Sequence, residues 1–174
     1  MALRKILTEP NDFLRKKCLP VEKVDDELRK IMDDMLETMY AAPGIGLAAI
    51  QVGILKRVIV IDISKQDEPK NPMFFVNPEI IEKSEIHSTY EEGCLSVPGQ
   101  FAEINRPEKC YLKYLDYYGN SKELKAEGML ATCIQHEIDH LEGILFIDYL
   151  SKLKKTMIVK KLSKQKKELE RIVV

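Results

Sequence analysis

With 174 residues, 45% of them hydrophobic and 32% charged, the chain has the make-up of one globular domain long enough to bury a substantial core. Its apolar runs fall far short of the roughly 20 residues that cross a bilayer, and the opening MALRKILTEPND lacks the pattern of an export signal, so a cytoplasmic protein with no membrane contact is expected. The net charge of −1 is uneven: residues 151–174 hold nine Lys or Arg against two Glu, a +7 tail on a −8 body, a pattern that often marks contact with nucleic acid or another anionic surface.

In chain order, Leu28, Ile31, Met32, Met35, Leu36 and Met39 recur at helical spacing. Asp25 is the expected N-cap, and Pro43-Gly44 ends the pattern. Residues 56–63 and 73–81 read as strands across a polar loop, and KCYLKYLDYYGNSKELKA as a hairpin turning at Gly119-Asn120. A helix from Glu127 to Glu142 follows, closed by Gly143 at C′. It carries Leu130, Ile134, Ile138 and Leu141 on one stripe and Met129, Cys133, His136 and His140 on a second, which leaves little circumference for water and predicts burial. A basic helix over about 149–172 closes the chain, with Leu150, Leu153, Met157 and Leu162 expected on one side. No repeat or linker divides residues 1–174, so one catalytic domain is expected.

QHEIDHLEG, residues 135–143, contains His-Glu-x-x-His. Four residues apart on a helix, His136 and His140 share a face and can hold one metal ion, with Glu137 beside them as an acid–base group. The third ligand decides what kind of site this is. Zinc peptidases with this motif take a downstream Glu or His, yet Glu142 is too near on the same helix and Glu168 lies in the basic tail. Cys133 shares the histidine face but lies roughly 7–8 Å along the axis from their midpoint, beyond the roughly 5 Å that a cysteine and its metal bond can cover. Cys94, between Gly93 and Pro98-Gly99, can approach the helix from an extended segment. The expected set is therefore Cys94, His136 and His140, with water in the open fourth position of a catalytic site. A thiolate ligand leaves iron(II) as suitable as zinc. The other cysteines, without paired spacing, are expected to be reduced thiols.

Three stretches in order, GIGLAAIQ (44–51), EGCLS (92–96) and QHEIDHLEG (135–143), closely resemble the signature motifs of the bacterial peptide deformylases. The resemblance spans nearly the whole chain. It implies an α+β fold of mostly antiparallel strands wrapped around a central metal-binding helix, with a C-terminal amphipathic helix outside. It implies hydrolysis of the formyl group from N-formylmethionine at the start of newly made polypeptides, releasing formate. Carried over by motif position, Cys94, His136 and His140 are the metal ligands, Glu137 the acid–base residue, and the Gln51 amide and Leu95 N–H the donors to the transition state. The metal implied is one Fe(II) per chain, with Zn(II), Ni(II) or Co(II) taking its place in preparations.

Gly44 and Gly46 are expected where backbone runs beside the peptide, and Ile45, Met129, Thr132 and Cys133 as the lining of the methionine slot. Glu92 and Gly93 of the cysteine loop are also expected among the substrate-binding residues, with Glu92 paired to Arg106, as the family suggests. One departure is visible: Phe101 stands where many family members carry an arginine. Lys160, Lys161, Lys164, Lys166 and Lys167 suit ribosomal RNA phosphates, and the family resemblance places the terminal helix near the ribosomal exit tunnel and implies a monomer. Two competing readings use the same residues: a zinc endopeptidase with an acidic or histidine third ligand, and a catalytically silent metal-bearing module acting through its tail.

Overall fold

The computed structural model describes residues 2–173; Met1 and Val174, the ends of the expected domain, lie outside the described residues. Helix α1 (Asp26–Ala41) begins where Asp25 accepts a hydrogen bond from the Leu28 N–H, and it buries Leu28, Met32, Met35 and Met39 on one face. Seven strands follow: β1 (Gly46–Ala48), β2 (Val58–Ile61), β3 (Met73–Lys83), β4 (His87–Cys94), β5 (Val97–Pro107), β6 (Lys109–Leu115) and β7 (Ser121–Glu127). Helix α2 (Gly128–Leu141) carries the two histidines, and helix α3 (Lys152–Val173) closes the chain.

All strand pairings are antiparallel, in a five-stranded sheet of order β1-β2-β3-β6-β7 and a separate β4–β5 hairpin. Strand β2, Val-Ile-Val-Ile, is buried along its whole length because the sheet is covered on both faces there. Ile59 and Ile61 join Ala131, Ile134 and Leu141 of α2; Val58 and Val60 join Met32, Met35 and Met39 of α1. The motif helix is thus held against a sheet that is itself backed by α1. Gly143 follows α2 with φ +76°, and a Cβ there would strike the carbonyl of Arg15, so only glycine fits.

The expected strands at 56–63 and 73–81 are observed as β2 and β3. Pro78 is accommodated in β3 at a register shift between Val76 and Glu79, beside Asn77 at φ 50°. The turn of the β6–β7 hairpin lies where expected, although it is a wider loop in which Asp116 accepts from the Tyr118 and Asn120 N–H groups.

Three readings need correction. The β4–β5 ribbon, read only as an extended segment at Cys94, is a full hairpin. Met129 is not enclosed with the histidine face of α2 but 50% exposed. On α3, Leu153 and Met157 are 71% and 62% exposed, whereas Leu162 is buried and Ile158 packs beside it. Met157 and Leu162 are five positions apart, about 140° around a helix, so one side cannot hold both.

Beyond β2, buried Asp62 organises the loop to Asn71, accepting hydrogen bonds from the N–H groups of Ser64 and Asn71 and from the Tyr40 hydroxyl. Burial pushes its carboxyl up, but these bonds outweigh burial and hold it below the ordinary Asp value. A depressed folded value contributes stability above the unfolded pKa of about 3.9 and loses it as pH falls through the folded value. Asp62→Asn is therefore expected to cost about 2 kcal/mol at pH 7. The gap from the parent should shrink below about pH 4 in urea melts at several pH values.

Candidate metal centre

The hydrogen-bonded ladder of the β4–β5 hairpin shifts register between Gly93 and Cys94, an irregularity that can re-aim a side chain. Cys94 Sγ comes to 3.3 Å from His140 Nε2. The candidate ligand atoms of Cys94, His136 and His140 all lie within 4.8 Å of one another. Metal bonds of about 2.3 Å to sulfur and 2.0 Å to nitrogen place such atoms about 3.5 Å apart around a tetrahedral cation, so this donor set fits one. Two donors reach the sulfur, the Ser96 N–H at 3.4 Å and the Gln51 amide at 3.5 Å.

The surroundings of the two rings push them in opposite directions. Burial would depress His136, but hydrogen bonds to Cys94 and Glu92 raise it well above the usual imidazole value. Burial and the neighbouring His136 charge hold His140 well below it, in the neutral form that ligates metals. Glu137 Oε1 sits 3.9 Å from His136 Nε2, and its Oε2 is buried with no hydrogen-bond partner among the described residues. Burial lifts the Glu137 carboxyl to about 7, opposed by the His136 charge and reinforced by Glu92.

A cavity of about 480 Å³ opens beside these atoms. Gly44, Ile45 and Gly46 line one side, Glu92, Gly93, Cys94 and Leu95 another, and α2 supplies Met129, Thr132, Cys133, His136 and Glu137. Gln51 and His140 sit behind that lining, both buried. Glu142, the alternative acidic ligand, is engaged instead with Arg57 at 2.8 Å.

A family model described as Polypeptide deformylase matches residues 3–156. A peptide deformylase of Pelagibacter ubique is 66% identical over 174 residues, covering all of both chains. That of Phenylobacterium zucineum is 59% identical over 96% of this chain and 99% of the relative. The chain belongs to the peptide deformylase family. Among solved structures, peptide deformylase from Ehrlichia chaffeensis in complex with actinonin superposes with a TM-score of 0.91 at 45% identity, covering 95% of this chain and 98% of that one. The α+β architecture expected from the sequence is that of the peptide deformylases.

Around this deformylase's metal site lies a buried polar network only partly visible in the sequence. The expected Glu92–Arg106 pair is present, with two contacts of 2.7 and 3.0 Å. Glu92 also accepts from His136 Nδ1 at 2.8 Å, which turns Nε2 toward the sulfur. Arg106 reaches onward to Asp139 at 2.8 Å, and the Tyr149 hydroxyl donates to the same carboxylate. Sequence reasoning missed Asp139, Tyr149 and Ser96. One signal existed: Asp139 stands three positions after His136 on α2, close enough on the helix to share its surroundings. Gln51 is pinned by its Oε1, which accepts from the Ala48 N–H, and by its Nε2, which donates to Ser96 Oγ at 3.0 Å.

Cys133 lines the cavity wall. Burial raises its thiol well above the ordinary value, so it stays protonated. The deformylase's Cys18 and Cys110 thiols are likewise pushed up to about 11 by burial. Gly46 serves space: a Cβ there would lie 2.7 Å from Glu137 Oε1 and 3.0 Å from Cys133 Sγ. Gly46→Ala should displace Glu137 and lower kcat about a hundredfold, with metal content unchanged on elemental analysis.

Proposed function

We infer that this deformylase hydrolyses the formyl group of N-formylmethionine at the start of new polypeptides, releasing formate and a free amine, through Cys94, His136, His140, Glu137, Gln51 and Leu95. The observation that carries the site assignment is the convergence of one sulfur and two imidazoles beside the unpartnered Glu137 Oε2, at the wall of a cavity. We assign these roles within one catalytic domain, residues 1–174.

Cys94, His136 and His140 would hold a divalent cation, which would supply Lewis acidity, lowering the pKa of water and polarising the formyl oxygen. Glu137 takes the water proton at Oε2 and passes it to the leaving amine; a carboxyl near 7 matches that task. As the formyl oxygen gains charge, the Gln51 amide and the Leu95 N–H donate to it, contacts that typically contribute about 3–4 kcal/mol each. Glu92 fixes the His136 ring, and Arg106 offsets the charge of Glu92. Ile45, Met129, Thr132 and Cys133 form the methionine slot, with Gly44, Gly46 and Gly93 letting the peptide backbone approach.

Fe(II) is the proposed cellular ion, with Zn(II), Ni(II) or Co(II) substituting in preparations, because one thiolate and two imidazoles suit all four. Enzyme purified anaerobically and loaded with iron is expected to release formate from formyl-Met-Ala-Ser and to lose activity in air as the thiolate and iron oxidise. Absence of formate would overturn the function, and air-stable activity with zinc would overturn the metal.

Among the described residues, no helix is long and apolar enough to cross a membrane. We propose a cytoplasmic monomer that meets the ribosome near the exit tunnel through Lys160, Lys161, Lys164, Lys166 and Lys167, all exposed on α3.

A further inference from the structure

We propose that the polypeptide following the formyl-methionine continues out of the metal cavity into a second groove, between β5 and α3, which selects an apolar side chain followed by acidic residues beyond the third position. The inference rests on the reading of the metal cavity as the deformylating site.

The groove has a volume of about 670 Å³, and it adjoins the metal cavity, with Gln100 and Phe101 lining both. A formylated chain has only one free direction once its first residue is in the cavity. Phe101 marks that exit, 65% exposed, with its ring laid over Gly93, where a Cβ would come within 2.5 Å of it. Beyond Phe101 the floor is Leu150, Met157 and Ile158. Exposed Leu153, one helical turn before Met157, extends the same stripe.

Helix α3 therefore has two apolar faces. One, with Ile158 and Leu162, packs on the body; the other, with Leu153 and Met157, meets solvent beside the exit. Contiguous exposed apolar side chains beside a binding cavity are the mark of a contact surface. Lys154 and Lys161 stand on the rim, opposed by Glu103 alone among the lining residues. A body of net charge −8 otherwise disfavours acidic peptides, so this rim is where they gain. RNA phosphates would match the lysines but not the apolar floor of Leu150, Met157 and Ile158, which favours a polypeptide occupant over the ribosome's RNA.

The test compares formyl-Met-Ala-Ser with two formylated octapeptides that begin identically, one continuing Leu-Phe-Glu-Asp-Ser and the other Gly-Ser-Gly-Ser-Gly. The first octapeptide should exceed the tripeptide in kcat/KM by about tenfold, chiefly through KM, the return on half-burying one leucine-sized side chain. The Gly/Ser octapeptide should match the tripeptide. Met157→Glu and Lys154→Glu should each reduce the advantage while leaving tripeptide turnover unchanged. Anisotropy of the deformylated, fluorescently labelled Leu-Phe-Glu-Asp-Ser octapeptide reads binding without turnover, and should weaken in both variants. Formate release from none of the peptides, with binding still lost in Met157→Glu, would defeat the reaction but support the groove. Equal gains for both octapeptides, or variants that bind like the parent, would overturn it. So would a Met157→Glu variant that loses ribosome binding alone.

Discussion

Cys94→Ala is expected to purify folded, with less than a tenth of an equivalent of metal, and with formate release down at least about a thousandfold, well beyond the 10–100-fold typical of losing an outer partner. The sulfur is the only ligand atom supplied by the β4–β5 hairpin; both imidazoles come from α2. Without it, two histidines on one helix remain, and two ligands of borderline softness hold a divalent ion poorly. The fold should survive, because the residue is only partly buried and the hydrogen bonds from the Gln51 amide and Ser96 N–H are freed rather than broken inside the core. Elemental analysis after anaerobic purification, with circular dichroism as the folding control, checks the result. Retention of a full equivalent of metal would show that another atom completes the site, as a zinc endopeptidase would require. Cys94→Ser, which restores size but offers a harder oxygen, should recover little of the loss.

Glu137→Gln should behave in the opposite way, keeping its metal while kcat falls by about 10³–10⁴, the scale of a lost general acid–base group. The substitution preserves shape where space is tightest, since Oε1 already lies within 2.7 Å of where a Gly46 Cβ would stand. It also removes a buried carboxyl that burial lifts to about 7, so thermal stability should not drop. Metal content, melting temperature and single-turnover formate release on the same preparation separate the outcomes. Wild-type kcat in the glutamine variant would remove Glu137 from the proton path.

Much of this arrangement is legible in the residues themselves. Helices α1 and α2 announce themselves through apolar spacing, the Asp25 cap and Gly143, and the Cys94–His136–His140 grouping follows from reach and ligand chemistry. The β4–β5 hairpin was hidden because its exposed positions are polar and Gly93, Pro98 and Gly99 interrupt it, so period-two alternation is weak. Met129 was misplaced for a different reason. Spacing assigns a residue to a face of α2, but it does not reveal that a cavity replaces protein at one end of that face. Asp139, Tyr149 and Ser96 escaped detection because polar side chains reveal their partners only once distant segments meet; Tyr149 and Arg106 are 43 positions apart yet stack at 4.9 Å. The loop from Asp62 shows the same limit, since its bond from Tyr40 links the segment after β2 to α1.

The three-way sharing of the Glu92 carboxylate, between one imidazole and two nitrogens of the same guanidinium, fuses two kinds of selection at a single position. Elsewhere a weakened architecture can be rescued by reinforcement far away, and a slowed reaction leaves robustness untouched. At this carboxylate neither remedy is independent of the other. Directed evolution for heat tolerance would have to leave it alone, and a library scored separately for abundance and turnover would find both losses coinciding there while they diverge at its neighbours.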